Sequence, residues 1–285
     1  MRKIALLLLA TAAFAQQIKV HGHRGARALR PENTLAAFRY AIDNGVDVLE
    51  LDLAVTKDKV LVVSHHPAIS TDKPSYPGER MCSGPHDGMP IYQQTLAEIR
   101  QYDCGSRTLK EFPKQIAVPG EKIPTFEEVL DLALSSNVEL NVETKIFPAK
   151  PELTPGPEEF TQLVLTAIRK KHMEKRVILQ SFDFRTLEVM KRLDPSIRRA
   201  ALWSGPEKDF VKVAKSSSST MLSPVYPLVT AEQVAAAHGI GFQVVPWTAN
   251  KPEEWKKLVD VKVDAIISDD PKALIDWLKN NGFRK

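Results

Sequence analysis

Short runs rich in β-branched residues recur nine times between residues 18 and 268, and stretches with helical spacing of apolar residues separate most of them. Alternation of this kind builds a parallel sheet covered by helices. The predicted strands are residues 18–23, 46–53, 60–65, 138–145, 177–181, 198–203, 221–226, 242–247 and 264–268. The polar turn Thr56-Lys57-Asp58-Lys59 joins the second to the third. A parallel crossover needs a dozen residues or more, so 60–65 must return antiparallel, as the back arm of a hairpin. Eight parallel strands remain, the number in a (β/α)8 or TIM barrel. An open doubly wound sheet is the alternative, but no Gly-x-Gly-x-x-Gly follows the first strand. Pro31-Glu32-Asn33 opens the first helix, expected over residues 34–44 with Asn33 as its N-cap. Further helices are expected at 95–102, 125–137, 157–172, 184–193, 231–238, 252–259 and 271–280.

Residues 66–124 break this rhythm with many prolines and glycines, and they read as an insertion that caps the barrel. Both cysteines, Cys82 and Cys104, fall in it. At the front of the chain Arg2 and Lys3 precede an apolar run over 4–13, and Ala13-Phe14-Ala15 has the small-x-small form of a signal-peptidase site. The expectation is a signal peptide over 1–15, cleaved near Ala15, and a single barrel domain over 16–285 in the periplasm or outside the cell. In such an oxidising compartment a Cys82–Cys104 disulfide is expected. About a dozen apolar residues fall short of the roughly twenty that span a bilayer, so no stable membrane insertion is expected. Hydrophobic content of 43% and charged content of 26% are those of a folded soluble chain. The net charge of +4 loses two with Arg2 and Lys3, and no Lys/Arg-rich run suggests a nucleic-acid partner.

Barrels place their chemistry at the C-terminal ends of the strands. The first predicted strand ends His21-Gly22-His23-Arg24-Gly25, the second carries Glu50-Leu51-Asp52, and the fourth run carries Glu143-Thr144-Lys145. Residues two apart share a face of a strand, so Glu50 points with Asp52, and Glu143 with Lys145. Three inward carboxylates repel unless positive charge lies among them. A divalent cation answers that need, and all-oxygen ligands suit Mg2+ or Ca2+. Rim salt bridges to Lys145 and Arg24 answer it equally well. If Val55 faces Val60 across the hairpin turn, Glu50 falls opposite His65, which then returns to the mouth near His23. Two histidines beside a cation and a lysine suit cleavage of a phosphodiester: one takes a proton, one gives a proton, and the cations offset phosphoryl charge.

These residues carry a family likeness. His23-Arg24-Gly25, Pro31-Glu32-Asn33-Thr34, Glu50-Leu51-Asp52, Thr56-Lys57-Asp58, Val62-Val63-Ser64-His65, Glu143-Thr144-Lys145, Pro246-Trp247-Thr248 and Ile266-Ile267-Ser268-Asp269-Asp270-Pro271 resemble, in order, the motifs of the glycerophosphodiester phosphodiesterases. The resemblance implies a TIM barrel with an inserted cap and a small-molecule substrate, a deacylated phospholipid cleaved to sn-glycerol 3-phosphate and an alcohol. Carried over by position, it implies His23 and His65 as the acid/base pair, and Glu50, Asp52 and Glu143 as ligands of Ca2+ or Mg2+. Arg24 and Lys145 would hold the phosphate, Glu32 would sit by the metal or the glycerol, and Trp247 would line the pocket. The chain departs from the family pattern at His66, where an aspartate usually follows the second catalytic histidine. That change keeps a second reading in play, a non-catalytic protein that binds phosphate or a lipid headgroup. A glycosidase built on two of the carboxylates explains neither His65 nor Lys145.

Overall fold

The computed structural model describes residues 17–74 and 78–285, so the leader expected over 1–15 lies outside the described residues. The first half of the chain runs β1 (Lys19–Gly22), α1 (Leu35–Asp43), β2 (Val48–Val55), β3 (Leu61–Val63), β4 (Ala68–Ile69), β5 (Met89–Pro90), α2 (Leu96–Ile99) and α3 (Phe126–Leu134). The second half alternates without interruption: β6 (Glu139–Thr144), α4 (Pro157–Lys170), β7 (Val177–Ser181), α5 (Phe184–Leu193), β8 (Arg198–Trp203) and α6 (Phe210–Ser216). It ends with β9 (Met221–Pro224), α7 (Ala231–Gly239), β10 (Gln243–Val244), α8 (Pro252–Asp260), β11 (Ala265–Ser268) and α9 (Pro271–Asn280).

Eight parallel strands lie in the order β10-β9-β8-β7-β6-β2-β1-β11. Between the two ends of that row, Asp264 N–H donates to Val244 O and Ile267 N–H to Pro246 O, each at 3.0 Å, which brings the sheet round into a TIM barrel. β10 stops at Val244, short of the predicted residue 247, although Trp247 N–H still donates to Pro224 O at 3.0 Å. The helices cover the outside through faces such as Phe126, Val129, Leu130 and Ala133 of α3. Helix α6 was not expected from sequence. Its apolar face is only Phe210, Val213 and Ala214, capped by Asp209 on Lys212 N–H.

The hairpin forms, but one residue out of the expected register. Leu53 pairs with Val63 and Val55 with Leu61, so Val55 does not face Val60. The turn itself explains the shift. Thr56 N–H donates to Val60 O at 3.0 Å, which leaves Lys57-Asp58-Lys59 as a three-residue loop with Lys59 at φ 63. A left-handed third residue is the usual way to close a loop of that length. Thr56 Oγ1 reinforces it, accepting from Val60 N–H at 2.9 Å and donating to Asp58 at 2.6 Å.

Residues 66–124 pack a small core of their own: Ile69, Cys82, Ile91, Ile99, Tyr102, Cys104 and Ile123, joined by Ala54 and Val62 of the hairpin. Cys82 and Cys104 are disulfide-bonded. The segment docks on the loop after β1. Gln115 donates to Arg27 O at 2.6 Å, Ile116 N–H to Leu29 O at 3.0 Å, and Arg80 to Glu32 O at 2.9 Å. Among the described residues, no helix is long and apolar enough to cross a membrane.

Candidate active site

At the C-terminal mouth of the barrel a cavity of about 270 Å3 is lined on one side by His23, Arg24, Arg27, Glu50, Asp52, His65, Glu143, Lys145 and Gln180. Phe182, Leu202, Trp247, Thr248 and Ile267 form the other, largely apolar side. Each polar group arrives there for a local reason. Glu50 and Asp52 share the inward face of β2, and the parallel register sets Asp52 beside Glu143 of β6. His65 follows the last pair of the hairpin, where Ser64 N–H donates to Asp52 O at 3.0 Å. Arg24 adopts a left-handed backbone, φ 49, which turns its N–H onto Glu50 at 2.9 Å.

Glu50, Asp52 and Glu143 are all buried, and one oxygen of each lies within 4.8 Å of the others. Burial raises the Glu50 carboxyl well above the usual range, and the Asp52 charge adds to it. Burial likewise raises Glu143 to about 7, with Lys145 opposing and Asp52 adding. Burial would raise Asp52 as well, but Lys145 and other cationic neighbours pull it well down. Lys145 Nζ lies 2.8 Å from Glu143 and 3.3 Å from Asp52, and Arg24 lies 3.3 Å from Asp52. The rim salt bridges therefore exist, yet they leave the trio short of positive charge. A buried, all-oxygen, under-compensated trio fits a hard divalent cation.

His23 Nδ1 lies 2.5 Å from Asp269, whose other oxygen accepts from Asn250 at 2.7 Å. The ring's other nitrogen stands 3.9 Å from Glu50. Burial would raise the Asp269 carboxyl, but the adjacent His23 and the hydrogen bonds bring it down to about 2. His65 Nδ1 lies 2.6 Å from His66 Nε2, and His66 is not among the residues lining the cavity.

Seven of the polar residues expected at the site, together with Trp247, line this cavity. Glu32 does not. It lies buried behind the wall, where its carboxylate takes Arg24 at 2.9 Å and also Arg27. Asn33, expected as a helix cap, leaves that task to Thr34, which accepts from Ala37 N–H at 3.2 Å. Its own amide donates to Asp52 at 2.9 Å. Sequence reasoning gave no role to Asp269, Gln180 or Arg27. Gln180 donates to Glu50 at 2.8 Å, and its inward position on a predicted strand was the available signal. Asp269 sat inside a quoted motif, but nothing local tied it to His23.

Fold and mouth together define a barrel enzyme whose mouth gathers histidines, basic side chains and a buried acidic group that could hold a metal ion. The glycerophosphoryl diester phosphodiesterase family profile matches residues 23–273. The glycerophosphodiester phosphodiesterase of Caldanaerobacter subterraneus is 32% identical over 263 residues, covering 92% of this chain and 98% of that one. A crystal structure from Silicibacter pomeroyi, assigned to the same phosphodiesterases, superposes with a TM-score of 0.85 at 31% identity, covering 94% of this chain and 95% of that one. An Oleispira antarctica phosphodiesterase, solved in complex with the product sn-glycerol-3-phosphate, has a TM-score of 0.75 at 25% identity, covering 92% and 97%. The chain belongs to the glycerophosphoryl diester phosphodiesterase family.

Proposed function

We propose that this enzyme hydrolyses glycerophosphodiesters to sn-glycerol 3-phosphate and an alcohol, with His23 and His65 moving the protons. The observation that carries the reading is the convergence of the His23–Asp269 pair, His65 and the carboxylate trio on one cavity. A divalent cation held by Glu50, Asp52 and Glu143, Ca2+ or Mg2+, would lend positive charge to the phosphoryl oxygens. Asp269 accepts from His23 Nδ1–H and so leaves Nε2 as the proton acceptor, in the manner of a carboxylate-oriented catalytic imidazole. As the attacking oxygen bonds to phosphorus its proton passes to His23 Nε2. The P–O bond to the alcohol breaks, and His65 Nε2–H supplies the proton that the leaving oxygen takes. Lys145 and Arg24 offset charge on the phosphate, and Trp247 with Phe182, whose rings meet edge to face at 5.6 Å, bounds the apolar side.

Purified protein should release glycerol 3-phosphate from glycerophosphocholine or glycerophosphoethanolamine. Chelation should stop turnover, and Ca2+ or Mg2+ should restore it, the more effective ion naming the cofactor. His23→Ala should cost on the order of 10²-fold or more in kcat. Undiminished turnover in that variant or in excess chelator overturns the mechanism. Thermal stabilisation by glycerol 3-phosphate with no turnover on any diester would favour the headgroup-binding reading instead.

Export through the leader at 1–15 is part of the same proposal, supported by the charged and apolar pattern of that segment and by the Cys82–Cys104 disulfide. Mass spectrometry of the exported protein should find an N-terminus near Gln16, and an intact Met1 terminus on exported material would refute it.

A further inference from the structure

The second histidine of the site is followed by His66, where the family pattern usually has aspartate. The two rings meet edge on, centroids 4.3 Å apart at 74°, with His65 Nδ1 and His66 Nε2 2.6 Å apart. His65 lines the cavity and His66 stands behind it. This placement is built from outside. Ser64 Oγ donates to His66 O at 3.1 Å, and Arg80 of the insertion donates to Ser64 Oγ at 3.3 Å while its other arm holds Glu32 O at 2.9 Å. One guanidinium thus ties together the loop behind His23 and the turn that carries both histidines.

We propose that His66 is the positioning residue of His65, holding its Nδ1 through the imidazole–imidazole bond so that Nε2 faces the leaving oxygen. A carboxylate in that place could only accept a hydrogen bond, whereas an imidazole nitrogen either accepts or donates. By accepting from Nδ1–H of a protonated His65, His66 Nε2 leaves the Nε2–H of His65 free to be given to the leaving oxygen, and the His65 ring that remains is neutral. His23, by contrast, is held by the carboxylate of Asp269. The site thus pairs one imidazole with an anion and the other with a neutral ring, an asymmetry that suits the first to accept a proton and the second to give one.

The inference rests on the reading of His65 as general acid, and two substrates separate the two ideas. Glycerophosphocholine loses an alkoxide that must be protonated; glycerophospho-p-nitrophenol loses a phenolate that need not be. His66→Ala should lower kcat on glycerophosphocholine on the order of 10-fold or more with KM within about twofold, and lower it less than about threefold on the nitrophenyl diester. His66→Asp, which restores an acceptor for Nδ1–H, should recover most of that loss. Equal losses on both substrates, no loss on either, or no recovery in His66→Asp would overturn the role of His66. His65→Ala should show the same substrate split more deeply. If it keeps full activity on glycerophosphocholine, the acid role of His65 falls and that of His66 falls with it. A deep split for His65→Ala beside an unchanged His66→Ala removes His66 alone.

Discussion

His21 stands two residues before His23, yet the barrel treats the two differently. Its ring is buried, and its nearest polar partner is Asn141 at 3.5 Å. Burial holds it down to about 3, with the charges of Lys19 and Arg198 adding to the effect. The unfolded chain takes up a proton near pH 6.5 that the folded chain refuses until about pH 3. Stability should therefore fall as the pH drops through that window, by about 1.4 kcal/mol per pH unit for this one group. In His21→Asn the slope of unfolding free energy between pH 6 and 4 should flatten by about that amount in urea titrations. Parallel slopes for the two proteins would count against it. At this scale the carboxylates were legible because spacing of two on a strand is local information. The partner of His23 was not: Asp269 lies 246 residues away, and only the pairing of β1 with β11 joins them.

Elements were legible where their signals were redundant. Strands β7 and β8 and helices α5 and α9 occupy the predicted residues, each with clear periodicity and a turn or cap at its start. The register of the hairpin was not legible from apolar pattern alone, because the side chain of Thr56 and the left-handed Lys59 decide where the loop closes. Caps follow the same logic. Thr125 and Glu128 satisfy one another's backbone N–H groups at the start of α3, at 2.7 Å and 3.2 Å. Thr125→Ala should therefore cost about 1 kcal/mol of stability. Because α3 packs against α1 and β3, the loss should appear in the global denaturant midpoint. An unchanged midpoint would mean that the helix start contributes nothing to the cooperative unit.

For the molecule as a whole, the insertion was the least legible part, having neither strand nor helix periodicity over most of its length. Expected as a cap over the barrel, it supplies none of the cavity's lining among the described residues and instead braces the loops behind it. Its disulfide spans a separation of 22 residues, which corresponds to about 3 kcal/mol in the chain-entropy account. The double variant Cys82→Ser/Cys104→Ser should be less stable by about that much in urea titration. Equal stability would mean that the small core around Ile91, Ile99 and Tyr102 holds the segment unaided. The pairing of the first strand with the last has a temporal meaning as well. A ribosome makes His23 near the start of its work and Asp269 near the end. Their pairing cannot form while the chain is still being made, so a nascent polypeptide carries the histidine without its carboxylate partner.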